Sequence, residues 1–244
     1  MTLPSFAAGI IAAGDGSRLK DAFPGTVKPM VPVAGRPLCA WIAAGLSAAG
    51  ATSVTMISNT RCGPARRHLQ TAFPGVAWHF IVEDTGSSWE SFRLVAGALS
   101  GERDFVVSTA DALVPPEKTA LFVSEMRRLG AACGLALTDF IDDEKPLWAE
   151  LGPDGTVRAL GPDCKVKELA TSGLYYMTGP RARSLAEASA HASLRDFLTA
   201  ETSLGAVRGA DLGKTVDVDR PEDVGPAEEF IKEHLLARGG RRAP

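Results

Sequence analysis

Two carboxylates one residue apart, Asp217 and Asp219, stand in the segment Thr215-Val216-Asp217-Val218-Asp219-Arg220-Pro221-Glu222-Asp223. On a strand, residues two apart share a face, so Val216 and Val218 turn to a core and both aspartates turn to a cleft. Oxygen donors of this kind suit Mg2+, which takes one or two carboxylates and keeps water or phosphate for its remaining positions. Asp219 has a structural alternative: with Pro221 behind it and Glu222 three residues on, it can cap a helix. Asp217 has none, so Asp217 is expected as a metal ligand, and Asp219 as a cap first and a ligand second. A third acid, Asp111, ends the apolar run Val106-Val107-Ser108-Thr109-Ala110. At the carboxyl end of a buried strand it can hold the same cation, or satisfy the amides of a turn.

Near the start of the chain, Ala12-Ala13-Gly14-Asp15-Gly16-Ser17-Arg18-Leu19 precedes Lys28-Pro29-Met30 and Val33-Ala34-Gly35-Arg36-Pro37. Glycines let a backbone pass close to phosphate oxygens and aim N–H groups at them. Arg18 can fork two phosphate oxygens, while Lys28 is a mobile point charge. Two glycines alone fit a flexible loop with solvated cations equally well. In Glu83-Asp84-Thr85-Gly86-Ser87-Ser88, Gly86 would let a flat base lie on the backbone, and Ser87 with Glu90 forms a helix capping box.

The elements that must position these groups alternate. Phe6 to Ala13 is expected as a buried strand, Pro37 to Ala49 as a helix stopped by Gly50, and Val54 to Ser58 as a strand. Pro64 to Ala72 then reads as a helix, Val76 to Val82 as a strand, Ser87 to Leu99 as a helix and Asp104 to Thr109 as a strand. Pro116 to Leu129 follows as a helix and Ala131 to Leu137 as a fifth strand. Such alternation predicts an α/β fold with a doubly wound, mostly parallel sheet, whose ligands lie beyond the carboxyl ends of the strands. From Trp148 the pattern changes to a hairpin around Gly152-Pro-Asp-Gly155, a small antiparallel insertion. Thr171 to Met177 is a further strand, followed by two helical stretches, a short strand through Val216 and a closing helix from Pro221 to Ala237. One domain over 1–244 is expected, with a nucleotide-binding half (1–140), an acceptor-binding half (141–220) and the closing helix (221–238).

Taken whole, Ala12 through Leu38 resembles the nucleotidyltransferase superfamily that includes sugar-1-phosphate nucleotidyltransferases, choline-phosphate cytidylyltransferases and molybdenum-cofactor guanylyltransferases. Its signature is similar to A-A-G-x-G-[ST]-R-L…K-P-[ML]-x-P-[VI]-x-G-[KR]-P-L. The resemblance implies a Rossmann-like nucleotidyltransferase fold and a loop of Ala12, Ala13, Gly14, Asp15, Gly16 and Ser17 around the phosphates of an NTP. Arg18 and Lys28 would be catalytic, with Lys28 near the α-phosphate, and Gly86 and Ser87 would meet the base. It also implies Mg2+ on Asp111 and on Asp217 or Asp219. That loop usually has a neutral residue where Asp15 stands. Thr171-Ser172-Gly173-Leu174-Tyr175 resembles the family's A-G-[IV]-Y strand at the acceptor pocket, placing Gly173 and, from the preceding loop, Lys167 rather than Lys165 at the acceptor. Glu144-Lys145-Pro146 has the spelling of another acceptor motif but precedes the hairpin instead of following it. The implied reaction joins an NTP to a small phosphorylated acceptor, first of all a sugar 1-phosphate, and releases pyrophosphate. Phosphocholine, a polyol phosphate or a molybdenum-cofactor guanylyl acceptor are alternatives, as is a nucleotide-binding sensor without turnover.

Composition agrees. With 45% apolar and 23% charged residues and a net charge of −3, the chain is not built to coat nucleic acid or an anionic membrane. The basic Arg238, Arg241 and Arg242 read as a solvated terminus. The four cysteines form no C-x-x-C pair, so they read as inert thiols of a reduced, cytoplasmic protein. The opening residues lack the positive region of a signal peptide. Other enzyme classes lack their residues: a dinucleotide-binding loop needs Gly or Ala where Leu19 stands and an acid near Ser58 and Asn59. A metal-dependent glycosyltransferase needs a first acid where Thr109 stands. No nucleophile elbow or P-loop lysine occurs, and no histidine follows a strand.

Overall fold

Phe6-Ala-Ala-Gly-Ile-Ile-Ala12 is buried almost throughout and forms the central strand β1. The computed structural model describes residues 3–142, 144–185 and 191–236, so Arg238, Arg241 and Arg242 and the far end of the expected closing helix lie outside it. After β1 comes a tight ribbon of β2 (Pro32–Val33) and β3 (Arg36–Pro37), followed by helix α1 (Leu38–Ala49) with Gly50 as its C-cap. Strand β4 (Ala51–Ser58), helix α2 (Gly63–Ala72), strand β5 (Ala77–Val82), helix α3 (Ser88–Ala98) and strand β6 (Asp104–Thr109) complete the first half. These strands run parallel in the order β5–β4–β1–β6, each joined to the next in sequence by a helix.

The two-residue strand β7 (Ala112–Leu113) leads into α4 (Pro116–Arg128) and strand β8 (Cys133–Thr138). The expected hairpin is present as β9 (Trp148–Leu151) and β10 (Val157–Leu160), closed by the Gly155 N–H donating to the Gly152 carbonyl at 3.0 Å. Strand β11 (Leu169–Thr178) runs antiparallel to both β6 and β8. After α5 (Gly179–Ser184) and α6 (Leu194–Ser203), β12 (Val207–Asp211) pairs parallel to β8. Strand β13 (Val216–Asp217) pairs with β7, and the chain closes through a turn at Pro221–Asp223 into α7 (Val224–Ile231). The sheet is thus mixed: an antiparallel strand, β11, joins the parallel donor run to the pair β8–β12. Sequence patterning found β11 but neither its direction nor β12.

Successive side chains on a strand point to opposite faces, and both faces are covered. Ala8, Ile10, Val106 and Tyr176 pack under α1, α4 and α7, where Leu38, Trp41, Phe122 and Phe230 are fully or nearly buried. Ala7, Phe105, Val107 and Tyr175 pack under α3, α5 and α6, against Trp89, Phe92 and Phe197. Stacked and tilted rings bind that second layer, with Trp89 and Phe197 centroids 4.4 Å apart. Among the described residues no helix is long and apolar enough to cross a membrane.

One buried charge ties the layers. Asp104, at the start of β6 and only 4% exposed, accepts from Arg127 Nε at 2.8 Å and Nη2 at 2.6 Å, and from the Tyr176 hydroxyl at 3.1 Å. Removing Asp104 leaves the buried Tyr176 hydroxyl without its acceptor, while the partly exposed Arg127 keeps the Ser5 carbonyl, so Asp104→Ala is expected to cost about 1–3 kcal/mol. Urea unfolding measures this, and a loss below about 1 kcal/mol would contradict the assigned network. All four cysteines are buried and unbridged, and burial pushes the Cys39 and Cys133 thiols up to about 12. The folded protein should therefore give almost no reaction with a thiol reagent at pH 8, and four thiols per chain after unfolding.

Candidate active site

Beyond the carboxyl end of β1 the chain turns through Gly14 and Gly16 into a single helical turn, Ser17–Leu19, which the buried Leu19 pins to the core. Gly16 adopts φ 57°, ψ 36°, the left-handed region. A Cβ built there would lie 2.6 Å from the Cβ of Lys28. Gly16 therefore admits the stem of Lys28, which rises from its own turn, Lys28–Met30. Residues 12–18, Lys28, Gly86 and Ser87 all line one broad cleft, together with Asn59, Thr60 and Arg61 from the turn after β4. Ser87 caps α3 by accepting from the Glu90 N–H at 3.2 Å, while Glu90 accepts from the Gly86 N–H at 2.7 Å. The expected carboxylate of Asp15 is paired with Arg61.

At the floor of this cleft Lys28 Nζ donates to Asp111 Oδ2 at 2.5 Å and to Asp219 Oδ1. A small ribbon brings the two acids together. β7 pairs antiparallel with β13, with Asp217 opposite Ala112, and the Val218 N–H donates to the Asp111 carbonyl at 3.2 Å. The alternation expected of this segment is present: Val216 and Val218 are buried, Asp217 is exposed and Asp219 is half-buried. The expectation that Asp219 caps the closing helix is corrected. Arg220 takes the N-cap position of the turn Pro221–Asp223, and α7 itself has no side-chain cap. Asp223 Oδ2 accepts from the N–H groups of Asp219 at 2.9 Å and Arg220 at 2.7 Å. That leaves the Asp219 side chain free to turn to Lys28.

Burial is the largest effect on Lys28 and favours its neutral form, yet the charges and hydrogen bonds of Asp111 and Asp219 outweigh it and raise its pKa. Burial would raise Asp111 likewise, but Lys28, aided by a hydrogen bond from Thr109, holds it below the usual carboxylate range. Lys28 and Asp111 are therefore both charged at neutral pH, and the Asp219 carboxyl group closes on the same buried cation.

A second cleft opens on the other side of Asp111. It shares Arg18, Thr109, Asp111 and Asp219 with the first, so the two meet at the lysine clasp. Asp217 and Gly173 line this second cleft. Gly173 sits where the pairing of β11 with β8 slips between Thr171 and Tyr175, at φ 72°. A Cβ there would lie 2.5 Å from Thr109 Oγ1 and 2.9 Å from the Ala112 Cβ. The glycine is required by packing against the Asp111 segment, a stronger reason than the ligand approach expected from sequence. Lys167 is exposed on the loop before β11 and is not among the residues lining either cleft. Besides Arg18, the cations that line the second cleft are Arg195 and Arg220, which were not singled out from sequence. Arg220 is engaged with Asp223 at 3.1 Å and flanked by Asp142, Glu144 and Glu222 at 3.7–3.8 Å. Arg195 donates to the Lys145 carbonyl at 2.8 Å. Glu144 and Pro146, in the segment that sequence order set aside, also line this cleft.

The Gly16–Lys28 contact is testable. In Gly16→Ala the positive φ costs about 1–2 kcal/mol, and the new methyl must displace the lysine stem. The melting point should fall by about 2–8 °C. An unchanged melting point would contradict the packing role of Gly16.

Known proteins place this geometry. The family profile described as a MobA-like NTP transferase domain matches residues 8–203. The inositol-1-phosphate CTP transferase of T. maritima superposes with a TM-score of 0.80 at 19% identity, over 95% of this chain and 98% of that one. A UDP-glucose pyrophosphorylase complexed with UDP-glucose superposes with a TM-score of 0.78 at 16% identity, over 94% and 99%. In sequence, the CMP-5'-(3-aminopropyl)phosphonate synthase of Streptomyces rubellomurinus (strain ATCC 31215) is 28% identical over 153 residues. That match spans 56% of this chain but only about a quarter (24%) of the relative's length.

Proposed function

This chain belongs to the MobA-like NTP transferase family and is a nucleotidyltransferase, and from that premise we propose that it joins an NTP to a small phosphorylated acceptor, a sugar 1-phosphate first of all, with release of pyrophosphate. The observation that carries this reading is the meeting of two clefts at one cationic centre: Lys28 and Arg18 stand where both share Asp111 and Asp219. In the first cleft the loop of residues 12–17 would hold the triphosphate with its backbone, and Gly86 and Ser87 would border the base. The second cleft, bordered by Gly173 and Arg195, would hold the acceptor.

An oxygen of the acceptor phosphate attacks the α-phosphorus, the bond to the β-phosphate oxygen breaks, and pyrophosphate leaves with that electron pair. Both reactants are anions, so positive charge and alignment do the catalytic work and no side-chain base is needed. Lys28 and Arg18 offset charge on the α-phosphate and the departing pyrophosphate. The donor set fits Mg2+: Asp111 and Asp219 already converge on a single cation, Lys28 Nζ, and Asp217 is one residue from the clasp on the acceptor side. Among the described residues no three His, Cys, Asp or Glu side chains form a complete cage, so substrate phosphates would complete the coordination. When bound there, Mg2+ would neutralise and align the two phosphates.

A second reading is cytidylyl transfer to a phosphate or phosphonate other than a sugar 1-phosphate. The names of the Streptomyces relative and of the T. maritima CTP transferase favour it. Pyrophosphate release, with the four NTPs crossed against sugar 1-phosphates, polyol phosphates, phosphocholine and aminoalkyl phosphonates, separates the two. Lys28→Ala and Asp111→Ala are each expected to lower kcat/KM by about 10^2–10^4-fold in the productive pair. No productive pair, or variants equal to wild type, would sink the proposal.

A further inference from the structure

The rim of the first cleft is stitched by polar side chains from three different post-strand loops. Asp84, after β5, accepts from the Thr60 N–H at 3.2 Å through Oδ1 and from the Thr60 hydroxyl at 3.1 Å through Oδ2. The next residue, Arg61 after β4, reaches in the other direction to the carboxylate of Asp15 after β1. All four residues line the cleft, so the run of contacts Asp84–Thr60–Arg61–Asp15 links the loops after three neighbouring strands, β5, β4 and β1. Arg18 lines the same cleft, whereas two other cations nearby are committed elsewhere. Arg66 donates inward to Ser58 Oγ at 2.7 Å and the Asn59 carbonyl at 3.1 Å, and Lys28 lies in its own clasp.

Arg61 and Asp15 keep 54% and 67% of their side-chain surface exposed. As a contribution to folding such a pair is worth little, because solvent screens it and two long side chains must be ordered. Its position gives it a different importance. Asp15 belongs to the loop assigned to the triphosphate, and a bare carboxylate there would repel that polyanion. Arg61 cancels this charge and extends a guanidinium toward the same phosphates. On the nucleotidyltransferase reading above, we propose that Arg61 is a donor-binding residue and Asp15 its positioning residue, the two forming a charged strap across the NTP polyphosphate. The strap makes the value of Arg61 conditional on Asp15: lost alone, the arginine leaves a repulsive charge behind, whereas lost with Asp15 it does not.

The test is a double-mutant cycle of Arg61→Gln, Asp15→Ser and both together. The dissociation constant for each Mg–NTP is read by calorimetry, kcat with saturating substrates is read alongside, and melting points check folding. Arg61→Gln should weaken NTP binding by about tenfold, Asp15→Ser by no more than about threefold, and the pair by no more than about threefold, a coupling typical of charges in contact. Saturated kcat should stay within about twofold, which separates a donor-affinity role from a general loss of structure. In about 1 M salt the Debye length falls to about 3 Å and the coupling should largely disappear. If Arg61→Gln costs the same factor with and without Asp15, or nothing in either background, the strap is overturned while the functional reading stands. If no NTP binds the wild-type protein, both are overturned.

Discussion

The shared hydrogen bonding of Lys28 to Asp111 and Asp219 is the constraint around which the rest of the molecule is arranged. A buried ammonium is costly unless opposite charge meets it, and two aspartates from distant segments do so here. Each partner requires a separate piece of architecture. Gly16 in the left-handed conformation clears room for the lysine stem, the carboxyl end of β6 delivers Asp111, and the β7–β13 ribbon carries Asp219 back across the chain. The glycine at 173 serves the same end from beneath, since only a missing Cβ lets the slipped strand lie against Thr109 and Ala112.

The first cleft was far more legible in sequence than the second, and the reason is physical. Backbone approach to phosphates demands glycine at fixed spacing, and a compact cationic centre demands Lys and Arg at fixed offsets, so residues 12–18 and Lys28 are spelled out in one continuous stretch. The alternating strands and helices of the first half of the chain are equally plain, because each strand is buried on both faces and each helix carries an apolar stripe. The second cleft is assembled from short contributions of many segments: Gly173 from a strand, Arg195 from a helix, Arg220 from a turn. Such residues obey no local spacing rule. Lys167 shows the failure directly, since a lysine close in sequence to the right strand lies outside both clefts. Strand β12 was missed for a related reason. Its Gly209 faces Val157 and Leu151 closely enough that a Cβ would fall within 3.0 Å of each, so packing there suppresses the apolar alternation by which strands are found.

Asp219 illustrates how a correct local rule can point to the wrong residue. Its neighbours have the composition of a helix start, and a helix start is present, but Asp223 reaches back to satisfy its amides. Local capping energy and long-range charge pairing compete for the same carboxylate; the second wins because a buried cation needs the partner more than an exposed turn does.

The ribbon that supplies Asp219 also sets the order in which the protein can become competent. Lys28 and Asp219 are separated by 191 positions, whereas the phosphate loop and β6 belong to the first half of the chain. During synthesis, the parallel strands β1, β4, β5 and β6 can assemble around their helices while the acidic end is still unmade. A nascent chain that has emerged only as far as β12 has the lysine and Asp111 but not the second carboxylate, so the ammonium has one partner instead of two. Closure of the Lys28 clasp is thus a long-range event in folding that waits for the β13 segment, rather than an early local one.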